Sequence, residues 1–238
     1  MSSFAFRASA AALGGIFTRP FHEPVPVQAA SMLASVGGYG SARVENFRFR
    51  ELVSFRAAYT QVVGNEYTGD DGPERSTLVL SVVEGLNILD MVTADRIVGR
   101  LVSETPRSDG SELRWLPAGS YFVNLRIGGH LIEPQAHKSL ADRPALMAGR
   151  QAFRGDKGAA TCDAVERLGV ARKADPVRFS MFGAGEHHYT IAGFGEVFLG
   201  EYTVGRDYRR LTMLRVAMGS PVEGDLSVAD LQGNGSPY

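Results

Sequence analysis

Apolar and polar positions alternate along most of this chain, with the spacing of extended strands rather than of helices. Val53, Phe55, Ala57 and Tyr59 fall on one face of such a strand, with Ser54, Arg56, Ala58 and Thr60 on the other. The polar stretch 65–75 holds Asp70-Asp71-Gly72-Pro73 and predicts a hairpin loop joining a strand over 59–63 to one over 77–83. Residues 86–89 and 97–102 continue the sheet, and GSYFVNLRIGGHLIE resumes the alternation after a polar loop. Between them lies a compact Val-Thr-Ala-Asp tetrapeptide, Val92 to Asp95. Its Thr93 and Asp95 read as side chains that satisfy backbone donors at a strand bend. From Val177 the pattern returns, with segments 189–191, 196–199 and 211–216 separated by Gly-containing turns.

Two regions depart from this rhythm. The first forty residues mix small side chains with Pro20, Pro24 and Pro26 and then Gly37, Gly38 and Gly40, which favours strand and loop over helix. Residues 1–40 are therefore expected as an extended N-terminal arm packed on the body. In it, Gly14-Gly15 marks a turn or bulge between short strands, with a helical turn over 8–13 as the alternative. Over 138–170 the apolar residues fall three and four apart, which predicts a short helical insertion. Asp163 to Leu168 is its better helical piece, closed by Gly169, and Pro144 fits the first turn of another. The reading is an all-β, mainly antiparallel fold, a sandwich-like or rolled sheet, with residues 41–238 forming one β-rich domain.

Composition narrows the setting. With 25 Lys and Arg against 26 Asp and Glu, the formal net charge of −1 supplies no overall field for nucleic acid or an anionic membrane. The densest basic run, Arg43, Arg48, Arg50 and Arg56, interleaves with Phe47, Phe49 and Phe55, as expected of a strand with one wet and one buried face. No segment reaches the roughly 20 apolar residues of a membrane-spanning helix. Cys162 is the single cysteine, so no intrachain disulfide forms. The start, MSSFAFRASAAALGGIF, has only a short, Gly-broken apolar run for a signal peptide, and cytoplasmic residence is the expectation, with a secreted or surface-associated protein as the alternative.

Chemistry is sparse. His130, Glu133 and His137 are the best candidate metal ligands, with Glu186, His187 and His188 further along, because imidazole and carboxylate suit zinc or iron. None of the compact metal-site spacings is met. Asp90 and Asp95 could pair for acid–base chemistry only if a bend brought them to one face. Trp115, Tyr121 and Tyr189 are candidate stacking positions for a sugar, although a lone loop Trp also serves as a hydrophobic clamp. No cofactor is indicated by any motif.

The blocks SARVENFRFRELVSFRAAYTQVVG, VEGLNILDMVTADRIVGRLVSE, GSYFVNLRIGGHLIE and RRLTMLRVAMGSPVEGDLSVADLQGNG, spread from Ser41 to Gly235, resemble a family of uncharacterised bacterial hypothetical proteins. That resemblance implies no activity. LNILDMVTADRIVGRL followed by GSYFVNLRIGG is also similar to the repeating β segment of secreted bacterial choice-of-anchor domains, which implies an all-β fold and nothing finer.

The resulting expectation is a non-catalytic structural, self-assembling or binding module that forms homo-oligomers through sheet edges or the N-terminal arm, without nucleic acid. The alternatives are a metal-dependent or carboxylate-based hydrolase acting on carbohydrate or a similar polar substrate, and a carbohydrate-binding module.

Overall fold

The computed structural model describes residues 5–69, 72–104, 114–134, 177–181, 187–205 and 208–234. It is an all-β protein of two antiparallel sheets packed face to face. Both chain ends build one, the terminal sheet, from β1 (Arg7–Arg19), β2 (Glu23–Gln28), β3 (Ser31–Met32), β12 (Val177–Ser180), β13 (His188–Ile191), β14 (Gly195–Val204), β15 (Arg209–Met218) and β16 (Glu223–Asn234). Its order is β12-β14-β15-β16-β1-β2, with β13 beside β14 and β3 beside β1. The middle sheet takes β4 (Gly38–Phe49), β5 (Val53–Gly69), β6 (Gly72–Ile88), β7 (Val92–Glu104), β8 (Arg114–Leu116), β9 (Tyr121–Val123), β10 (Leu125–Ile127) and β11 (His130–Ile132). Its order is β11-β10-β7-β6-β5-β4, with β8 and β9 also beside β7. No helix among the described residues is long and apolar enough to cross a membrane.

The stretch expected as an arm supplies β1 to β3 and the start of β4. β1 runs unbroken over 13 residues between β16 and β2, and the expected bulge at Gly14-Gly15 survives only as a register shift against β2. Its inward residues Ala8, Ala10 and Ala12 are small and buried, which lets the sheets approach closely. Ser81 Oγ on β6 donates to the Ala11 carbonyl at 3.2 Å, and Thr60 Oγ1 on β5 to the Ala29 carbonyl at 2.7 Å. These bonds satisfy two buried hydroxyls across the sheet interface. The helices expected over 138–170 lie outside the described residues.

Residues 65–75 are another departure. The predicted loop is instead the far end of the β5–β6 hairpin, whose ladder continues to Gly69 and Gly72. Polar residues continue the ladder there because Asn65, Glu66, Tyr67 and Thr68 are exposed, so no apolar face is required.

Strict alternation also fails within the strands, and it fails in line. In the middle sheet Val53 and Phe55 point inward, but so do Ala58, Thr60 and Val62, so Ala57 and Tyr59 lie on the outer face with Arg56. This corrects the single face expected for Val53 through Tyr59. β6 switches between Val83 and Leu86, and β7 between Ala94 and Ile97. The switch points, Asn46, Arg56, Gly85, Asp95 and Asn124, follow one another from strand to strand. Every second one has a positive φ: 52° at Asn46, 65° at Gly85 and 49° at Asn124. The terminal sheet has a matching crease through Ala12, Ala229 (φ 50°), Met213 and Gly200 (φ 59°). There the extra side chains face inward, Leu13, Val228, Leu214 and Leu199 joining the core, whereas the middle sheet's crease turns extra side chains outward.

The β2 and β4 edges are blunted. Edge strand β2 carries Pro24 and Pro26, which offer no N–H to another strand, and edge strand β4 carries the Asn46 bulge and the Arg43–Glu45 pair.

Candidate functional site

The crease of the middle sheet gathers polar side chains that regular alternation would divide between two faces. Glu84 accepts from Arg56 Nη2 at 3.0 Å and from Arg96 Nη2 at 2.6 Å, fixing two guanidiniums across three strands. Asn124 Nδ2 donates to Asp95 Oδ2 at 2.6 Å and ties β7 to the bend between β9 and β10. Hydrogen bonds to Glu84 and then to Tyr121, with the Glu84 charge, raise the pKa of Arg96 above the ordinary guanidinium value.

Tyr121 ends a row of cross-strand partners, Arg43, Tyr59, Val82, Val98 and Tyr121, running from β4 through β5, β6 and β7 to β9. Val82 and Val98 are buried yet stand outside the core between the sheets, as expected for outer-face residues. The tyrosines at either side stay open, Tyr59 at 37% and Tyr121 at 44% exposure. Three strand spacings separate them, about 14 Å.

Beyond Tyr121 the chain folds back through β10 and β11, leaving a cleft of about 370 Å³ lined by residues 120–124 and 131–134. Tyr121, Val123 and Leu131 give it an exposed apolar rim, and Asn124 and Glu133 give it polar groups. Ser120 fixes its entry: its hydroxyl accepts from the Arg100 N–H at 2.8 Å and donates to the Arg100 carbonyl at 3.1 Å, standing in for a ladder pair. Arg100 itself is exposed, and its Nη1 reaches the Ala118 carbonyl at 3.5 Å. Among the described residues no carboxylate pairs with it.

The residues singled out from sequence scatter. Tyr121 and Glu133 line the same cleft. His130 is exposed on β11, opposite Ile127, and His137 lies outside the described residues, as do Glu186 and Cys162. Among the described residues no three His, Cys, Asp or Glu side chains gather as metal ligands. Asp90 is held in the β6–β7 turn by Asn87, whose Nδ2 donates to Asp90 Oδ1 at 2.6 Å, while Asp95 is engaged by Asn124. Trp115 is only 2% exposed and lies against Gly233 of the other sheet, so it clamps the sheets and presents no face to a ligand. Tyr189 is half-buried against the core on the terminal sheet.

His188 belongs to a second polar cluster, on the outer face of the terminal sheet. Its ring stacks on Phe198 with centroids 4.6 Å apart, and from the neighbouring strand the Arg215 guanidinium lies 4.0 Å from the Phe198 centroid. Arg215 is bound in turn by Glu201 at 2.7 Å and Asp225 at 3.1 Å, and hydrogen bonding to Glu201 raises its pKa. Each member already has a partner, which makes this cluster a cross-strand tie.

Sequence reasoning missed the Arg56–Glu84–Arg96 group. The available signal was a pair of adjacent outward residues on each strand, Arg56-Ala57, Glu84-Gly85 and Asp95-Arg96, interrupting the period of two.

Residues 4–176 match the family model described as Domain of unknown function (DUF8256), a span that contains the middle sheet and its cleft. No curated protein and no solved structure matches the chain.

Proposed function

Since the chain belongs to that domain family, whose description assigns no activity, we propose a role from the site alone: a non-catalytic module that binds an extended polar ligand on the outer face of the middle sheet. The carrying observation is Tyr121, exposed at the mouth of the cleft and at the end of a row that begins near Tyr59. An open tyrosine supplies a flat apolar surface with a polar tip. The neighbouring guanidiniums are held in place by Glu84, so a ligand meets donors whose ordering cost is already met. The test is a binding array of polysaccharides and peptides probed with the intact chain and with Tyr121→Ala. Ligands retained by the intact chain and lost by a variant of unchanged melting temperature support the reading, and equal binding by both refutes it.

A second reading, self-association, is favoured by four open apolar side chains near the β2 to β4 corner: Val27, Met32, Val36 and Tyr39, between 60% and 89% exposed. With the β2 and β4 edges blunted, contact at this corner runs through side chains rather than a continued sheet. Light scattering over a concentration series tests it, and a monomer at every concentration removes it.

A further inference from the structure

We propose that the ligand is an acidic polysaccharide, a sugar chain bearing carboxylates, and that Arg100 receives one of those carboxylates. This rests on the binding role assigned to the Tyr121 face. The charge balance there is the first reason: Arg43, Arg56, Arg96, Arg100 and Arg126 stand with Glu45, Glu84, Asp95 and Glu133, a slight cationic excess although the whole chain carries a net charge of −1. Arg43 is taken up by Glu45, and Arg56 and Arg96 share Glu84, which leaves Arg100 without a carboxylate among the described residues.

Placement is the second reason. Arg96 and Arg100 lie two residues either side of Val98, the cross-strand partner of Tyr121, so they flank the tyrosine on the same face. A sugar ring laid on Tyr121 would put its hydroxyls beside fixed donors and acceptors and a ring carboxylate within reach of Arg100. The bond so formed is charge-assisted, and the planar guanidinium fork matches a carboxylate.

A single-stranded nucleic acid is the nearest rival, because it too takes aromatic and basic groups. It needs stacking platforms for successive bases and a track of cations for its phosphates. Here the open tyrosines stand about 14 Å apart with buried valines between them, and Arg43, Arg56 and Arg96 are each already held by a carboxylate.

The experiment measures binding of the full chain to polygalacturonate, to its fully methyl-esterified form and to polyuridylate, with Arg100→Gln and Tyr121→Ala alongside and melting temperatures as the folding control. The expected result is binding to polygalacturonate that weakens about tenfold on esterification and on Arg100→Gln, falls with salt, and is lost in Tyr121→Ala. Equal binding to the esterified polymer, lost in Tyr121→Ala, overturns the acidic ligand and keeps the binding face. Polygalacturonate binding untouched by Tyr121→Ala overturns both. Absence of polygalacturonate binding, or preference for polyuridylate, overturns the inference.

Discussion

Replacing Gly233 with alanine tests how the two sheets are held together. Gly233 lies on β16, between Ala8 and Arg209 of the neighbouring strands, and the Trp115 indole packs against it from the middle sheet. A Cβ there would fall 2.5 Å from Cζ3 and 2.6 Å from Cζ2 of the indole, and closer still to Cη2. These atoms belong to a rigid ring that is 2% exposed, so the clash is relieved only by moving the ring or the strand. Overpacking of this kind costs about 1–3 kcal/mol, and a rigid ring places Gly233→Ala near the top of that range. Trp115→Ala alone should cost about 3–5 kcal/mol through lost burial and the cavity left behind. In the Trp115→Ala background the added methyl enters vacated space, and its penalty should vanish. The double-mutant cycle should then return a coupling of about 2–3 kcal/mol. Equilibrium urea unfolding reads it as a midpoint lowered by roughly 1 M for Gly233→Ala, at a slope near 2–3 kcal/mol per M. Trp115 is the single tryptophan, so its fluorescence reports the transition in the single variant and circular dichroism serves where it is removed. An unchanged midpoint for Gly233→Ala, or the same penalty in both backgrounds, would refute the clamp.

Gly85→Ala places a side chain at φ 65°, with its Cβ 3.0 Å from Cβ of Arg56, and should lower stability by about 1–2 kcal/mol, with Gly85→Asn milder because asparagine tolerates the left-handed region. Thermal melts of the two variants check the order, and equal melting temperatures would contradict the assigned strain. Burial raises the pKa of the Tyr202 phenol, partly offset by the positive charge of Arg209. Its contribution to stability is therefore intact below the ordinary tyrosine value of about 10 and falls as pH rises beyond it, because the unfolded chain ionises first. Urea midpoints from about pH 9 to about pH 11 should decline less steeply in Tyr202→Phe than in the unaltered chain, and parallel declines would show that other groups govern the alkaline limit.

Period-two alternation was enough to identify strands around 53–63, 77–83, 97–102 and 211–216 and to imply two faces, because each of these strands covers a core on one side. It misassigned Ala57 and Tyr59, since a bulge that reverses the faces leaves only one irregular residue in the sequence. It shortened β5 and β6, whose polar ends pair by backbone hydrogen bonds that side-chain pattern does not reveal. Tyr121 and Glu133 were legible as residue types, but their convergence on one cleft depends on the fold-back through β10 and β11. Arg56, Glu84 and Arg96 lie 28 and 12 residues apart along the chain, and only strand register makes them neighbours. Trp115 illustrates the opposite case: the residue most suggestive of sugar stacking is committed to Gly233, 118 positions later in the chain.

The two creases also govern how this chain can drift over generations. A residue added to or lost from one strand normally exchanges its faces over the whole remaining length. Here such a change would also pull one switch point out of line with those on the strands beside it, so neighbouring strands would have to gain or lose a residue together. Length differences among family members should accordingly collect in the connections between strands, while the spacing from Asn46 to Gly85 and on to Asn124 varies only in their loops. An aligned family with scattered single-residue gaps inside β5, β6 or β7 would show that the creases are incidental. Gaps confined to the connections would show that they act as a shared ruler for the whole sheet.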